Sequence, residues 1–201
     1  QADSRIAWSK TEVTETITHT AILKYWDNEM WGFVAIPYRF FVDSPRGDHH
    51  GIGDVTVGFG PRGGTWPVSF LSYVAATVPT GTAEKGGGNE RYDAKAGCFL
   101  TAITNDKQFE ADGSAEFVLT GKNSNGINPP NELNIGFVAG GKLNEQMRFA
   151  AGLIHSRTLL ENAEDNYLTA ARLVGRYTFS KKLHAELIGD VTIDAQRMQK
   201  R

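Results

Sequence analysis

The sequence predicts an all-β protein, an antiparallel up-and-down transmembrane β-barrel of about ten strands. Three observations favour this fold: side chains alternate with a period of two, short and long connections alternate, and the composition suits strands and turns. Glycine makes up 22 of the 201 residues and aromatic residues 10%, and apolar residues seldom form runs. We expect a single β-barrel domain over residues 1–201.

The period of two is clearest over residues 107–122. One parity there includes Phe109, Ala111 and Phe117, whereas the other includes Glu110 and Glu116. An amphipathic helix does not give this pattern, and no segment of ten or more residues has a period of 3.6. Ten such stretches predict strands at residues 5–26, 30–42, 52–61, 66–79, 91–104, 107–122, 132–143, 146–159, 166–179 and 184–195.

The connections between these strands alternate in length. Short turns are predicted at residues 27–28, 61–65, 105–106, 144–145 and 180–182, and long polar loops at 43–51, 80–91, 121–132 and 160–166. This alternation predicts a meander with all turns at one end and all loops at the other, and closing it into a barrel removes the free sheet edges.

Periodicity alone does not decide whether the barrel meets water or lipid. The apolar parity is rich in alanine and glycine, which fill a barrel interior poorly, and several strands exceed the ~9–11 residues that cross a bilayer. Aromatic residues near the short turns and the loops predict two interfacial girdles. Their members are Trp26, Trp31, Phe59, Trp66, Phe109, Phe149, Tyr177 and Phe179 by the turns, and Phe40, Tyr92, Phe117 and Tyr167 by the loops.

In a membrane barrel the polar parity lines the lumen. The residues predicted there are Asp93, Lys95, Glu110, Asp112, Glu116, Arg148, Arg172, Arg176, His184, Glu186, Asp190 and Asp194. Their mixed charges leave two alternatives open: they pair across the interior and plug it, or they line a narrow wet passage.

Other classes of site have weak support. A net charge of −2 does not indicate a nucleic-acid partner, and one cysteine excludes multi-cysteine zinc patterns. The stretch GIGDVTVGFG (51–60) lacks the third glycine and the following helix of a dinucleotide loop. Asp48, His49 and His50 are weak metal candidates, and Ser44 with Asp48 and His49 is the sole nucleophile and base set. We therefore expect neither an enzyme nor a cofactor.

Two motifs resemble the phenol meta-pathway degradation (MetA-pathway) family of outer-membrane transporters. They are a strand start with Gly51, Gly53 and Asp54, and a strand end with Pro79, Thr80 and Gly81. The stretches LKYWDNEMWGFVAIPYRF and NELNIGFVAGGKLNEQMRFAAGL are similar to hairpins of that family. The resemblance implies a channel for small, often hydrophobic or aromatic compounds, in the outer membrane of a Gram-negative bacterium after removal of a signal peptide.

Two further expectations concern the chain ends and the partners. Ten strands that begin with a short turn put both termini on the loop side, unlike outer-membrane barrels, so we expect one more strand beyond each end, twelve in all. The alternatives are a different strand count and a barrel that is a subunit of something larger.

The expected partners are outer-membrane lipid, a small solute and, through the long loops, a protein complex. A structural barrel anchoring such a complex and a soluble lipocalin-like carrier remain alternative functions.

Overall fold

The computed structural model describes residues 2–10, 15–42, 47–81, 88–123, 126, 128–159, 166–180 and 183–196. All regular elements in these ranges are strands: β1 (Ala2–Lys10), β2 (Glu15–Trp26), β3 (Met30–Val42), β4 (His49–Ile52), β5 (Val55–Thr65), β6 (Val68–Val78), β7 (Asp93–Ile103), β8 (Phe109–Thr120), β9 (Asn131–Lys142), β10 (Met147–Leu159), β11 (Asn166–Ser180) and β12 (Leu183–Gln196). In this part of the chain, no helix has the length and apolarity to span a membrane.

Eleven strands follow one another through the sheet in chain order, from β1 to β12, and the short β4 pairs beside β3. The strand pairs whose register is defined are antiparallel. The all-β up-and-down antiparallel architecture predicted from the sequence is therefore confirmed. Within the described residues the sheet is open, with β1 and β12 at its two ends.

The segment predicted as one strand over residues 5–26 forms two, β1 and β2. They pair from Ala2 opposite Leu23 to Lys10 opposite Glu15. The sequence between them has no glycine, proline or asparagine, so the usual turn signal is absent and the alternation hides the reversal. β1 begins beside the end of β2 that leads into a short turn, so the N-terminal strand starts on the turn side, and the alternative of a different strand count holds for this part of the chain.

In three short turns, a side-chain oxygen accepts hydrogen bonds from the backbone. The side-chain oxygen of Asp27 accepts from the backbone N–H groups of Glu29 and Met30 at 2.9 and 2.8 Å, and Asn144 does the same for Gln146 and Met147. These Asx turns occupy predicted turn positions. In the third, hydrogen bonds from the Thr104 hydroxyl and the Gln108 N–H hold the pKa of Asp106 below its usual value.

The remaining described turn differs from the prediction. β5 continues through residues 61–65, and the chain reverses at Trp66 and Pro67. Pro61 still stands opposite Met30 in the register of β3 and β5, so the cluster of proline and glycine belongs to a strand. Within the loop predicted at residues 43–51, His49 begins β4. Residues 181–182, in the last predicted turn, lie outside the described ranges.

The chain divides into two compact units. The first comprises Gln1–Pro61, Tyr73–Ala96 and Val118–Pro129, and the second Arg62–Ser72, Gly97–Phe117 and Pro130–Arg201. The first unit holds most of the buried side chains, namely Ile22, Trp31, Asp54, Tyr73, Ala75, Thr77, Asp93, Val118 and Thr120. In the second unit, Ala170 is buried.

Candidate functional site

In the second unit, alternate residues form two faces with opposite chemistry. Phe137, Leu153 and Leu173 expose 56%, 53% and 55% of their surface, whereas the side chains of Glu110 and Arg148 expose 26% and 29%. A domain that folds in water places these residue types the other way round. We call the first set the exposed apolar face and the second the polar face.

Opposite charges on the polar face are paired. Arg148 forms an ion pair with Glu110, reaching from β10 to β8 past the intervening β9. Arg172 and Asp190 stand directly opposite each other and form two hydrogen bonds of 2.8 Å. Both pairs are half-exposed, so each carboxylate meets a guanidinium without the cost of full burial.

A cavity of about 70 Å³ lies on this face. Its apolar lining residues are Val138, Gly140, Gly141, Phe149, Ala150 and Val174, and its charged lining residues are Glu110, Asp112, Arg148 and Arg176. The Thr101 hydroxyl donates to Asp112 at 2.6 Å, a contact that sequence analysis did not anticipate. Five predicted lumen residues of this unit, Glu110, Asp112, Arg148, Arg172 and Arg176, thus share one face with Asp190.

Asp194 does not share that face. A register shift places Asp194 opposite Thr169, while Thr192 stands opposite Ala170. The extra residue in β12 reverses the parity beyond Thr192, as a bulge does. Asp194 therefore lies on the side of Tyr167, whose hydroxyl donates to it at 3.1 Å, and its prediction as a lumen residue is corrected.

His184 and Glu186 are described by their backbone positions. His184 stands opposite Thr178, and Glu186 opposite Arg176. Their side chains lie outside the described part of the structure. Glu116 is half-buried and has the strand parity of Glu110 on β8.

The first unit contains an aromatic cluster on the buried face of its strands, which we call the covered face. Trp31 and Phe33 stack with ring centroids 5.3 Å apart, and Tyr73 meets them edge-on at 5.8 and 5.7 Å. Trp31 and Tyr73 each expose 7% of their surface. The prediction of Trp31 as an exposed girdle residue is therefore wrong, because both parities of β3 are apolar and the alternation gives no direction.

Glycines opposite the aromatic residues are the signal that would have located the cluster. Phe33 stands opposite Gly58 and Trp31 opposite Gly60, and rings commonly cover cross-strand glycines. Sequence analysis also missed two basic residues with the strand parity of Trp31. They are Lys24, opposite Phe33, and Arg39, opposite Thr18.

Replacing Gly58 with alanine is expected to lower the free energy of unfolding by about 1–3 kcal/mol, the usual cost of overpacking. A methyl group there would overlap the Phe33 ring, with Cζ of Phe33 at 2.7 Å, and would lie 2.9 Å from the Ala75 Cβ. Gly113→Ala is the matched control, since nothing lies within 4 Å of its Cβ. Urea unfolding in detergent micelles measures both, and equal midpoints would contradict the packing described here.

The residues of the family motif form one hydrogen-bonded cluster in the first unit. The Thr80 hydroxyl donates to the Gly53 carbonyl and accepts from Val55 N–H, both at 3.0 Å. The Asp54 carboxylate accepts from Gly81 N–H at 3.1 Å and from Asn89 N–H at 2.6 Å. Asp54 exposes 8% of its surface. The motif therefore ties the start of β5 to the end of β6, with Gly51 in β4 and Pro79 adjacent.

Asp93 forms the same kind of hydrogen bonds as Asp54 at the end of the next hairpin. Its carboxylate accepts from Gly121 N–H at 3.0 Å and from Arg91 Nε at 2.8 Å. Each aspartate thus binds the glycine of a Thr-Gly pair, 27 or 28 residues further on. Asp93 is buried and bound at the end of a hairpin, which its prediction as a lumen residue did not anticipate. Lys95 follows on the same side and is half-buried.

The weak metal candidates separate. His49 and His50 are neighbours in β4, so their side chains point to opposite faces. His49 stacks on Phe41 and contacts the Gly47 carbonyl, whereas His50 bonds Tyr38. Asp48 precedes them in an exposed position. Among the described residues no group of three or more potential ligands could hold a metal ion, and Ser44 lies outside them.

Comparisons with known proteins agree on one family and one fold. A family model described as "Putative MetA-pathway of phenol degradation" matches residues 4–198. The crystal structure of an outer membrane channel from Pseudomonas putida F1 is similar, with a TM-score of 0.66 and 15% identity over 89% of this chain and 78% of that chain. Among curated proteins, none matches. At this identity the structural likeness establishes the fold.

Proposed function

We propose a function from one premise: the chain belongs to the MetA-pathway phenol-degradation family, whose model matches residues 4–198. The chain is an outer-membrane β-barrel channel, and residues 1–201 form a single barrel domain. It admits small hydrophobic or aromatic compounds passively and has no enzymatic role. The similar crystal structure is described as an outer membrane channel, and we carry that description over to this chain.

The reversed distribution of apolar and charged side chains carries this proposal. In each unit, large apolar residues such as Val74 and Leu173 expose more than half of their surface. A soluble carrier of lipocalin type would bury these residues and expose the charges. Lipid in contact with the exposed apolar face removes the cost of exposing these apolar side chains to water.

The polar face supports a passage of limited width. Its residues Glu110, Asp112, Arg148, Arg172, Arg176 and Asp190 would line the lumen, with Lys95 and Glu116 in the same role. A barrel of ten to twelve strands, as the sequence predicts, would enclose a narrower interior than that of the porins of about 16–18 strands, which leave a water-filled channel. The pairing of Arg148 with Glu110 neutralises charge there, which favours small uncharged solutes over ions.

The aromatic cluster of the first unit supports the solute class. Trp31, Phe33 and Tyr73 present ring faces and edges on the covered side, and aromatic pairs prefer such offset and edge-on contacts. Because Trp31 and Tyr73 each expose 7% of their surface, a phenol-like ring would have to take the place of one ring of the cluster to make the same contacts.

Cell fractionation tests the location. We expect the chain in the outer-membrane fraction, with the heat-modifiable electrophoretic mobility of a folded barrel. Extraction of folded protein without detergent would overturn the membrane assignment.

Reconstitution into liposomes tests the flux. We expect phenol and small neutral solutes to enter vesicles that contain folded protein faster than vesicles that contain heat-unfolded protein. Trp31→Ala with Tyr73→Ala should change the rate for phenol more than the rate for glycerol. Equal entry with folded and unfolded protein, across a range of small solutes, would contradict the channel.

A further inference from the structure

We propose that the cavity on the polar face of the second unit binds the hydroxyl group of a small neutral solute, and that the carboxylate of Asp112 accepts its hydrogen bond. The inference rests on the proposed function, since a solute reaches the polar face through the lumen. It adds a hydrogen-bond donor to the solute class and names the residue that recognises this donor.

Asp112 has an oxygen atom left for a ligand. It is half-buried on β8 and borders the cavity. The Thr101 hydroxyl donates to its Oδ1 atom at 2.6 Å, and within the described ranges this is the one hydrogen bond that Asp112 makes. A carboxylate has two acceptor oxygens and no hydrogen to donate. The Oδ2 atom can therefore bind a donor such as a hydroxyl group, and an ether or a carbonyl oxygen cannot take its place.

The other carboxylate at the cavity is already held by a base. Glu110 forms an ion pair with Arg148, and a charge-assisted pair of this kind is about twice as strong as a hydrogen bond between neutral groups. A neutral hydroxyl group therefore does not displace Arg148 from Glu110. Asp112 is bound by a neutral group, Thr101, and accepts a second neutral donor without losing an ion pair.

The charges around the cavity favour a neutral solute over an ion. The carboxylates of Glu110 and Asp112 and the guanidinium groups of Arg148 and Arg176 border it, so the charges of the lining cancel. Such a lining attracts neither anions nor cations, and an ion loses far more hydration energy than a hydroxyl group on leaving water. The hydroxyl group regains a hydrogen bond to a charged acceptor.

The size and the walls of the cavity define the group that carries the hydroxyl. Its volume is about 70 Å³, below the ~150 Å³ of an engineered cavity that holds benzene. A hydroxyl group and the carbon that bears it fit this space, and an aromatic ring does not. Val138, Ala150 and Val174 offer apolar contacts to that carbon, and the rest of the solute stays outside the cavity.

Methyl NMR of the folded full chain in detergent micelles tests the site, because labelled methyl groups of Ala150 and Val174 report on the cavity alone. The ligands are benzyl alcohol and anisole, two isomers of which only the first has a hydroxyl group. We expect benzyl alcohol to shift both methyl signals and to bind about tenfold more tightly than anisole, equivalent to ~1.4 kcal/mol. Equal affinities of the wild type for the two isomers would overturn the site.

Asp112→Leu removes the acceptor and nearly keeps the size of the side chain. We expect its affinity for benzyl alcohol to fall to about that for anisole, because the hydrogen bond to a charged group is lost. Heat-modifiable mobility checks that the variant is folded. If it is not, the comparison of the two isomers in the wild type decides.

Thr101→Val is the matched control, because it breaks the same hydrogen bond between Thr101 and Asp112 and leaves the carboxylate in place. We expect no loss of affinity for benzyl alcohol, since both oxygens of Asp112 are then available. A loss equal to that in Asp112→Leu would mean that the hydrogen bond only supports the two strands, and would overturn the role of Asp112.

Entry of glycerol into liposomes separates this inference from the proposed function. The comparison is between vesicles that contain folded and heat-unfolded wild type. Preferential binding of benzyl alcohol without faster glycerol entry would contradict the channel and support the site. Faster entry with equal affinities for benzyl alcohol and anisole would support the channel and overturn the site.

Discussion

Replacing Leu173 with arginine is expected to lower the free energy of unfolding in a lipid bilayer by about 2–4 kcal/mol. This is the cost of a lipid-facing arginine near the membrane midplane. Leu173 lies on the exposed apolar face of β11 and exposes 55% of its surface. In a protein folded in water, the same substitution at so exposed a position costs within about 0.5 kcal/mol. Urea titration of the protein folded into phospholipid vesicles measures the difference.

Ile188→Arg is the control for this prediction. Ile188 lies at about the same height across the membrane as Leu173 but on the opposite face of the sheet. Ile188 stands opposite Val174, the neighbour of Leu173, and exposes 43% of its surface. It has the strand parity of Asp190 and so lies on the polar face, where the proposed lumen, and not lipid, would surround the new guanidinium. We expect a loss of less than about 1 kcal/mol. Equal losses at both positions would refute the assignment of the two faces.

Replacing Asp54 with alanine is expected to lower the free energy of unfolding by about 2–4 kcal/mol, because two backbone N–H groups lose a charged acceptor. Asp54 is buried and binds the N–H groups of Gly81 and Asn89. Protease should also cut more rapidly between β6 and β7. Asp93→Ala should cost a similar amount, since it releases Gly121 and Arg91.

Two variants show whether the loss comes from these hydrogen bonds. Asp54→Asn keeps one acceptor oxygen and should lose about half as much. Asp48→Ala, at an exposed position, should change the stability by less than about 0.5 kcal/mol. A loss in Asp48→Ala equal to that in Asp54→Ala would count against the proposed role of the buried carboxylate.

Most of the fold could be predicted from the sequence because alternate residues of a strand lie on opposite faces of the sheet. The stretch at 107–122 predicted β8 to within two residues at each end, and Asp27, Asp106 and Asn144 marked turns through their own side chains. The reversal between Lys10 and Glu15 was not predicted because the sequence between them has no glycine, proline or asparagine, and only the pairing of β1 with β2 reveals it.

The candidate site was readable to the extent that parity holds. Glu110, Arg148 and Arg172 share a face because their strands keep an unbroken alternation. Asp194 departs from it because one extra residue in β12 shifts the register. Trp31 has apolar neighbours on both parities, so its direction depends on the glycines of the adjacent strand.

The sequence by itself determined the strands, most of the turns and the two chemistries of the faces, because these depend on neighbours along the chain. Tertiary structure alone decided which charges meet. Arg148 reaches Glu110 because β8 and β10 flank β9, and Asp54 binds Gly81 because β5 and β6 end together. Such partners lie 38 and 27 residues apart, and the physical reason is register, which local periodicity leaves open until strands pair.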